Sequence, residues 1–220
     1  DLNTARSSAG SAGLIYTNAL MFGGSPYTNI TETWNGTSWS ETADLSVSRQ
    51  NLSGAGTNSA GLAAGGRTNS TTPSNSTEEF TGAGLAIGAW TTGVAVNVAR
   101  SQGGGAGTRE AALFFAGYGP SDGSTLNEVF NGTSWTESAD LNTARWEIGS
   151  AETSTSALGA GGRTPASPSV SPAVESWNGS SWTETTDLGT PRKNGTMTGT
   201  DNEATLYFGG NVGTPSKNTE

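Results

Sequence analysis

Arginine and aspartate recur at fixed places in this chain, and they are the residue types best able to build a polar site here. The segments from Trp39 to Arg49 (WSETADLSVSR), Trp135 to Arg145 (WTESADLNTAR) and Trp182 to Arg192 (WTETTDLGTPR) share one pattern. Trp90 to Arg100 (WTTGVAVNVAR) is a weaker copy, and the chain opens on DLNTAR, the end of the same unit. Arg6, Arg49, Arg100, Arg145 and Arg192 are separated by 43, 51, 45 and 47 residues. Asp1, Asp44, Asp140 and Asp187 each stand five residues before their arginine, but Ala95 takes that place before Arg100. Such a set could ring a ligand. The alternative is a structural pairing of Asp with Arg, or arginine bound to turn carbonyls. The missing aspartate breaks the symmetry that a metal or substrate ring needs, so the five arginines are read as structural.

Other chemistry is narrowed by composition. Cysteine and histidine are both absent, which removes disulfides, Ser-His-Asp triads, thiolate nucleophiles and most zinc or copper sites. No metal and no cofactor is therefore expected. Glu78-Glu79 is the sole adjacent acidic pair. Neighbours on a strand point to opposite faces, so the two do not converge as an acid and a base. Charged residues are 13% of the chain and the formal net charge is −9, against about 25% charged in an ordinary domain. With Lys193 and Lys217 as the only lysines, clustered cations for nucleic-acid phosphates are not expected. No apolar run is long enough to insert into a membrane as a helix.

The candidate binding residues lie in loops of variable length, rich in Ser, Thr and Pro: SPYTN at Ser25, RTNSTTPSNST at Arg67, YGPSDGST at Tyr118, RTPASPSVSP at Arg163 and NVGTPSK at Asn211. Variable loops on a repetitive scaffold are where binding concentrates. Tyr27, Arg67, Tyr118, Asp122, Arg163 and Asn211 are their side chains best suited to hold a ligand. The eight Asn-X-Ser/Thr sequons, three of them at Asn35, Asn131 and Asn178 in turns, follow from composition and carry no inference of glycosylation.

The elements that position these loops come from the repeat. Each arginine is followed, 16 or 17 residues later, by an apolar stretch ending in glycine: LMFGG, LAAGG, FFAG, LGAGG and LYFGG. Glycine there permits positive φ and close backbone approach; with no following helix or Lys-Ser/Thr it is not a phosphate loop. A hairpin precedes the Trp in three units, TWNGTSW, VFNGTSW and SWNGSSW, whereas the second unit departs with FTGAGLAIGAW from Phe80 to Trp90. Asn-Gly predicts a two-residue type I′ turn, which would set Trp34 opposite Thr37 and Glu32 opposite Trp39, with both rings diagonal on one face. Each unit reads as four short strands, giving units 1–43, 44–94, 95–139, 140–186 and 187–220 of a single domain.

These landmarks resemble the kelch motif: the glycine doublet after Leu206, the aromatic pair Trp177 and Trp182, and Thr190-Pro191-Arg192 opening the next blade. The resemblance covers almost the whole chain and implies an all-β propeller of about five four-stranded blades. It implies burial of Trp39, Trp90, Trp135 and Trp182 between blades. Kelch-like copper oxidases use His, Tyr and Cys ligands, and this chain lacks His and Cys. The wording NGTSWTE is similar to arrays in marine phage and bacterial surface proteins. Glu220 aligns with Glu32, which lies 12 positions before Asp44. The ends thus read as a window on a longer parent chain, or as a ring whose last blade lacks its outer strand. The expected role is a non-enzymatic recognition module at an extracellular or virion surface, such as a tail fibre or decoration, facing a protein or glycan of a host or neighbouring surface. A lectin is the alternative, although lectin sites should recur in register and Tyr27 and Tyr118 do not recur in every loop.

Overall fold

A computed structural model describes residues 1–82, 88–119, 122–165, 167–199, 204–212 and 219–220. Lys217, the turn expected at residues 200–202, and parts of the candidate loops at 120–121 and 213–217 lie outside the described residues. Among the described residues every regular element is a strand. The first sheet is β1 (Gly10–Ile15), β2 (Asn18–Phe22), β3 (Thr31–Trp34) and β4 (Trp39–Glu41), hydrogen-bonded in that order. The second is β5 (Ser53–Gly56), β6 (Ala60–Ala64), β7 (Thr77–Thr81) and β8 (Ala89–Thr92). The third is β9 (Gly104–Gly107), β10 (Ala112–Phe115), β11 (Asn127–Phe130) and β12 (Trp135–Ser138).

In the fourth sheet, β13 (Gly149–Glu152) and β14 (Ala157–Ala160) continue, after a small hairpin of β15 (Arg163–Thr164) and β16 (Ser167–Val170), into β17 (Val174–Trp177) and β18 (Trp182–Glu184). β19 (Thr196–Gly199) and β20 (Thr205–Phe208) pair as a two-stranded sheet. The fold is all-β with propeller-like, four-stranded antiparallel blades, as the repeat predicts.

The chain falls into two compact units. Unit 1 holds Asp1–Ser101, Thr108–Ala112 and Phe130–Trp135; unit 2 holds Gln102–Gly107, Leu113–Val129 and Thr136–Glu220. Leu20, Phe22, Leu45, Leu52 and Phe80 form the core of unit 1, with Trp90 against it. In unit 2 one cluster gathers Phe115, Leu141, Ile148, Trp177 and Trp182, and a second gathers Leu158, Val174, Met197 and Tyr207. Small residues in the first strands let blades approach. A Cβ on Gly54 would lie 2.0 Å from the carbonyl oxygen of Ser11, so only glycine fits there.

The hairpins differ from the predicted register. Trp34 pairs directly with Trp39, and Glu32 with Glu41. The reason is the side chain of Asn35: its Oδ1 accepts hydrogen bonds from the backbone N–H of Thr37 and Ser38, both at 2.9 Å, taking the part of a turn carbonyl. Gly36 takes φ 91°, while Asn35 keeps a negative φ, so the type I′ requirement of two positive φ values is not met. Asn131 and Asn178 repeat the arrangement. The rings still share a face, with centroids 5.6 Å apart for Trp34 and Trp39 and 5.5 Å for Trp177 and Trp182. Phe80 likewise pairs with Trp90.

Burial of the repeat tryptophans is uneven. Trp135 and Trp182 are buried, but Trp39 and Trp90 are partly exposed, which corrects the expectation for those two. Trp182 packs on Phe115 of the preceding blade, at 4.7 Å. Trp90 packs on Phe22 and Phe80, and its Nε1 donates to Thr31 Oγ1 at 3.0 Å. Trp39 has Trp34 as its ring partner.

The repeat arginines are structural, but their acidic partner is glutamate rather than the aspartate expected from spacing. Arg49, Arg100, Arg145 and Arg192 are 0% exposed. Arg6 pairs with Glu32 at 2.5 Å, Arg49 with Glu78 at 2.8 Å and Arg145 with Glu175 at 2.8 Å, and Arg192 pairs with Glu220. Arg145 also donates to the carbonyls of Gly161 and Ala173 at 3.0 and 2.5 Å. Arg49 does the same to Gly65 and Ser76, both at 2.8 Å. The second glutamate oxygen accepts a backbone N–H from the segment before the arginine: Asn3, Ser46 or Asn142, each at 2.7 Å. Aspartate instead serves the preceding blade, with Asp44 accepting from Thr31 N–H at 3.0 Å and Asp140 from Thr125 Oγ1 at 3.1 Å.

The arginine backbone faces the other way. Gly24, Gly117 and Gly162 donate N–H to the carbonyls of Arg49, Arg145 and Arg192, at 2.8, 2.7 and 2.9 Å. One residue therefore joins two blades, by its carbonyl to the earlier and its side chain to the later. This explains the glycine doublet. At Gly161 (φ 65°) a Cβ would lie 2.2 Å from the Arg192 carbonyl oxygen. Ala116, at φ 56°, occupies the first doublet position of the third sheet.

Burial pushes the Arg49 and Arg145 guanidinium pKa values down, opposed by Glu78 and Glu175. Removing one member of a buried pair strands the other charge. Arg145→Ala is expected to cost about 3–5 kcal/mol, read as a lower urea midpoint. Arg100, with Ala95 in the place of the aspartate, is buried as deeply, so Arg100→Ala should cost as much. An unchanged midpoint in either variant would refute the structural role. Burial raises the Glu32 carboxyl, but hydrogen bonds from Asn3, Arg6 and Thr4 and the Arg6 charge outweigh it, leaving its pKa below the ordinary value. A folded pKa below the unfolded one stabilises above the unfolded value, about 4.3, and that contribution is lost as pH falls through the depressed folded value. Melting temperature should drop on acidification below about pH 4, with a shallower drop in Glu32→Gln; identical acid profiles would contradict this.

Candidate functional site

Antiparallel order sorts the turns of each blade to two ends. The hairpin at 57–60 and the loop at 35–38 lie at one end; the loop after the glycines and the link into the next blade lie at the other. Isolated bridges fix this second end: Ser7 to Ser25, Gln50 to Arg67, Trp146 to Arg163 and Lys193 to Asn211. Arg67, Tyr118, Arg163 and Asn211 thus occupy one repeat position, immediately after the glycines. Each of these four bridges sets a pair of side chains there, carried on paired backbone rather than on a free loop.

In unit 1 this rim is neutral apart from Arg67. Its Nε donates to Ser101 Oγ at 2.9 Å and its NH1 to the Ser70 carbonyl at 3.1 Å. Tyr27 lies in the short loop before Thr28, whose backbone bridges Arg49, and is 36% exposed. Nothing in unit 1 brings Tyr27 and Arg67 together.

Unit 2 brings several candidates together. Tyr118 meets Trp146 edge to face, with centroids 5.5 Å apart. Trp146 exchanges two backbone hydrogen bonds with Arg163, at 3.1 and 2.8 Å. Gly123 lies against the same indole; a Cβ there would come within 2.6 Å of Trp146 Cε3 and 3.4 Å of Pro165 Cγ. Exposed Asp122 closes its own turn: its carbonyl accepts from Gly119 N–H and its Oδ1 from Gly123 N–H, both at 2.8 Å. Asp122 thus shapes the loop under the indole. Asn211 exchanges backbone bonds with Lys193, at 3.2 and 2.8 Å.

Glu147 is the electrostatic centre of this rim. Its Oε2 lies 2.6 Å from Lys193 Nζ and 3.6 Å from Arg163 Nε, and its Oε1 accepts from Gln102 Nε2 at 3.2 Å. The backbone holds it there in an unusual conformation. Gln102, Glu147 and Asn194, each two residues after a repeat arginine, take φ 59°, 56° and 54°. Their N–H groups donate backward from blade to blade, Glu147 to Gln102 and Asn194 to Glu147, both at 2.9 Å. Ser8 and Asn51 repeat this in unit 1 at 2.8 Å. Left-handed backbone in residues other than glycine is strained, and here the chain of hydrogen bonds maintains it.

Sequence reasoning found Tyr118, Asp122, Arg163 and Asn211 but missed Trp146, Glu147, Lys193 and Gln102. A signal was present: the two residues after each constant arginine are SS, QN, SQ, WE and KN, the most varied positions beside the most constant one. Among the described residues no group of three or more His, Cys, Asp or Glu is placed to hold a metal. Compared with known proteins, the chain matches no protein-family model and no curated protein.

Proposed function

We propose that this chain is a non-enzymatic recognition module, a kelch-like propeller carried on a virion or cell surface, as in a tail fibre or decoration, that binds a host or neighbouring surface. The observation that carries this reading is the rim of unit 2, where Tyr118, Trp146, Arg163, Glu147 and Lys193 meet on hydrogen-bonded backbone. Aromatic and arginine side chains held on rigid backbone are what binding hot spots use. The sparsely charged, Ser-, Thr- and Gly-rich composition of the chain and the kelch-like and phage-like wording of the repeats support it. The acidic groups favour recognition over hydrolysis. Glu78 is buried against Arg49, whereas Glu79 follows it on the strand and points to the opposite face, so the adjacent pair does not form a dyad. A second reading, a carbohydrate-binding lectin, is favoured by the indole of Trp146 set among polar groups.

Fluorescently labelled protein should be retained on intact cells or envelope fractions of its target. Trp146→Ala should cost about 2 kcal/mol of binding without lowering the melting temperature comparably. Tyr16, 93% exposed at the hairpin end of its blade, is the control, and Tyr16→Ala should bind as the parent does. Absence of retention on every surface tried, or equal loss in both variants, would overturn the proposal.

A further inference from the structure

The charges gathered around Glu147 do not cancel among themselves; a further carboxylate of the rim, Asp122, is engaged with Gly123 N–H in its own loop. Lys193 and Arg163 both address one carboxylate, Glu147, whose other oxygen is taken by the uncharged Gln102. Two cations on one anion leave one positive charge in excess. The Arg163 side chain is 36% exposed, against 16% for Lys193 and 12% for Glu147, so solvent reaches both cations, and the guanidinium most. Directly beside it, through the backbone pair, stands the half-buried Trp146, held by Tyr118 on its edge and by Gly123 and Pro165. An indole gives a flat apolar surface of the size of a sugar ring, and a guanidinium gives paired donors for an anionic group.

We infer that Trp146, Arg163 and Lys193 form a subsite for an acidic sugar, its apolar ring face on the indole and its carboxylate or sulfate on the two cations; this deepens the recognition reading above and rests on it. Glu147 is then a positioning residue. It holds both cations at one spot, and its left-handed backbone conformation fixes it between Gln102 and Asn194. The subsite occurs once in the described rim. At the corresponding places unit 1 has Gln50, Asn51 and Arg67, and Ser7, Ser8 and Ser25, without an aromatic residue or a second cation. A carbohydrate site here therefore does not recur in register, in contrast to the expectation for a lectin with one site per blade. With a net charge of −9 the molecule repels anions at long range, so the preference for an acidic sugar has to come from these short contacts.

The test is calorimetric titration of the whole chain with three probes of equal length: a uronic-acid oligosaccharide, a sulfated oligosaccharide and a neutral glucan. At least one acidic probe should bind about tenfold or more tightly than the neutral one, and which one does so tells carboxylate from sulfate recognition. Arg163→Gln should abolish that preference while leaving the weaker affinity for the neutral probe. Trp146→Ala should weaken all binding, and Arg67→Gln, at the same repeat position in unit 1, should change nothing. Arg163→Gln removes an exposed charge and keeps the backbone pair, so it stays informative even if Trp146→Ala unfolds. Equal affinity for acidic and neutral probes, an unchanged preference in Arg163→Gln, or tighter binding of an acidic peptide than of either acidic sugar would overturn the inference. If none of the sugars binds while labelled protein still adheres to cells, the subsite is wrong and the recognition reading stands; loss of adhesion as well removes both.

Discussion

A guanidinium removed from water must keep its charge compensated and its terminal NH2 groups bonded, and this requirement organises the blades. Arg145 reaches the carbonyls of Gly161 and Ala173 and the carboxylate of Glu175. The glutamate in turn takes the N–H of Asn142 with its second oxygen. One cluster thereby ties down the end of the second strand, the start of the third and the segment linking the blades. The net stabilisation from such a buried pair is small, because desolvation of both ions opposes their attraction. Its effect is on register: sliding the third strand by one residue would turn the glutamate to the other face and leave the arginine charge buried alone. The repeat intervals follow. Arginine to glycine stays within 16 or 17 residues, because the side chain must reach a fixed carbonyl, whereas glycine to glutamate varies more widely, because the intervening loop is outside the lock.

The same arginine transmits this order to the rim. Its backbone carbonyl is held by the preceding blade's glycine N–H, so the next two residues leave the core at a fixed place and angle. Trp146 and Glu147 are those residues after Arg145, and Lys193 follows Arg192. The candidate site is therefore one residue away from the most immobile groups in each blade. Variation in the dipeptide changes what the rim offers without disturbing the lock beneath it.

Much of the fold was legible in local sequence. Hairpins, glycine ends and strand count are set by neighbours a few residues apart, so the spacing of Trp, Asn-Gly and Gly-Gly reports them directly. The exceptions are instructive. The Asn35 side chain replaced a backbone acceptor and moved the hairpin pairing from the predicted one, and Trp39 and Trp90 proved partly exposed although the buried Trp135 and Trp182 lie on edge strands too. The recurrence of Glu32, Glu78, Glu128 and Glu175 two residues before an aromatic was visible in the sequence. Asp at a constant distance of five residues was the more conspicuous partner and the wrong one.

By itself the sequence determined the repeat, its strands, its turns and the loops where variable side chains cluster, because all of these depend on conformational preferences and periodicity within a few residues. Tertiary structure alone decided two matters. One is that each arginine side chain turns forward into the blade that follows, where its glutamate waits roughly thirty residues on, rather than back to the aspartate beside it. The other is that Trp146 and Glu147 share a rim with Arg163 and Lys193. The physical reason is the same in both cases: the partners lie far apart in the chain, arginine meeting glutamate through a side-chain ion pair and Trp146 meeting Arg163 through an antiparallel bridge, and no local spacing encodes either contact.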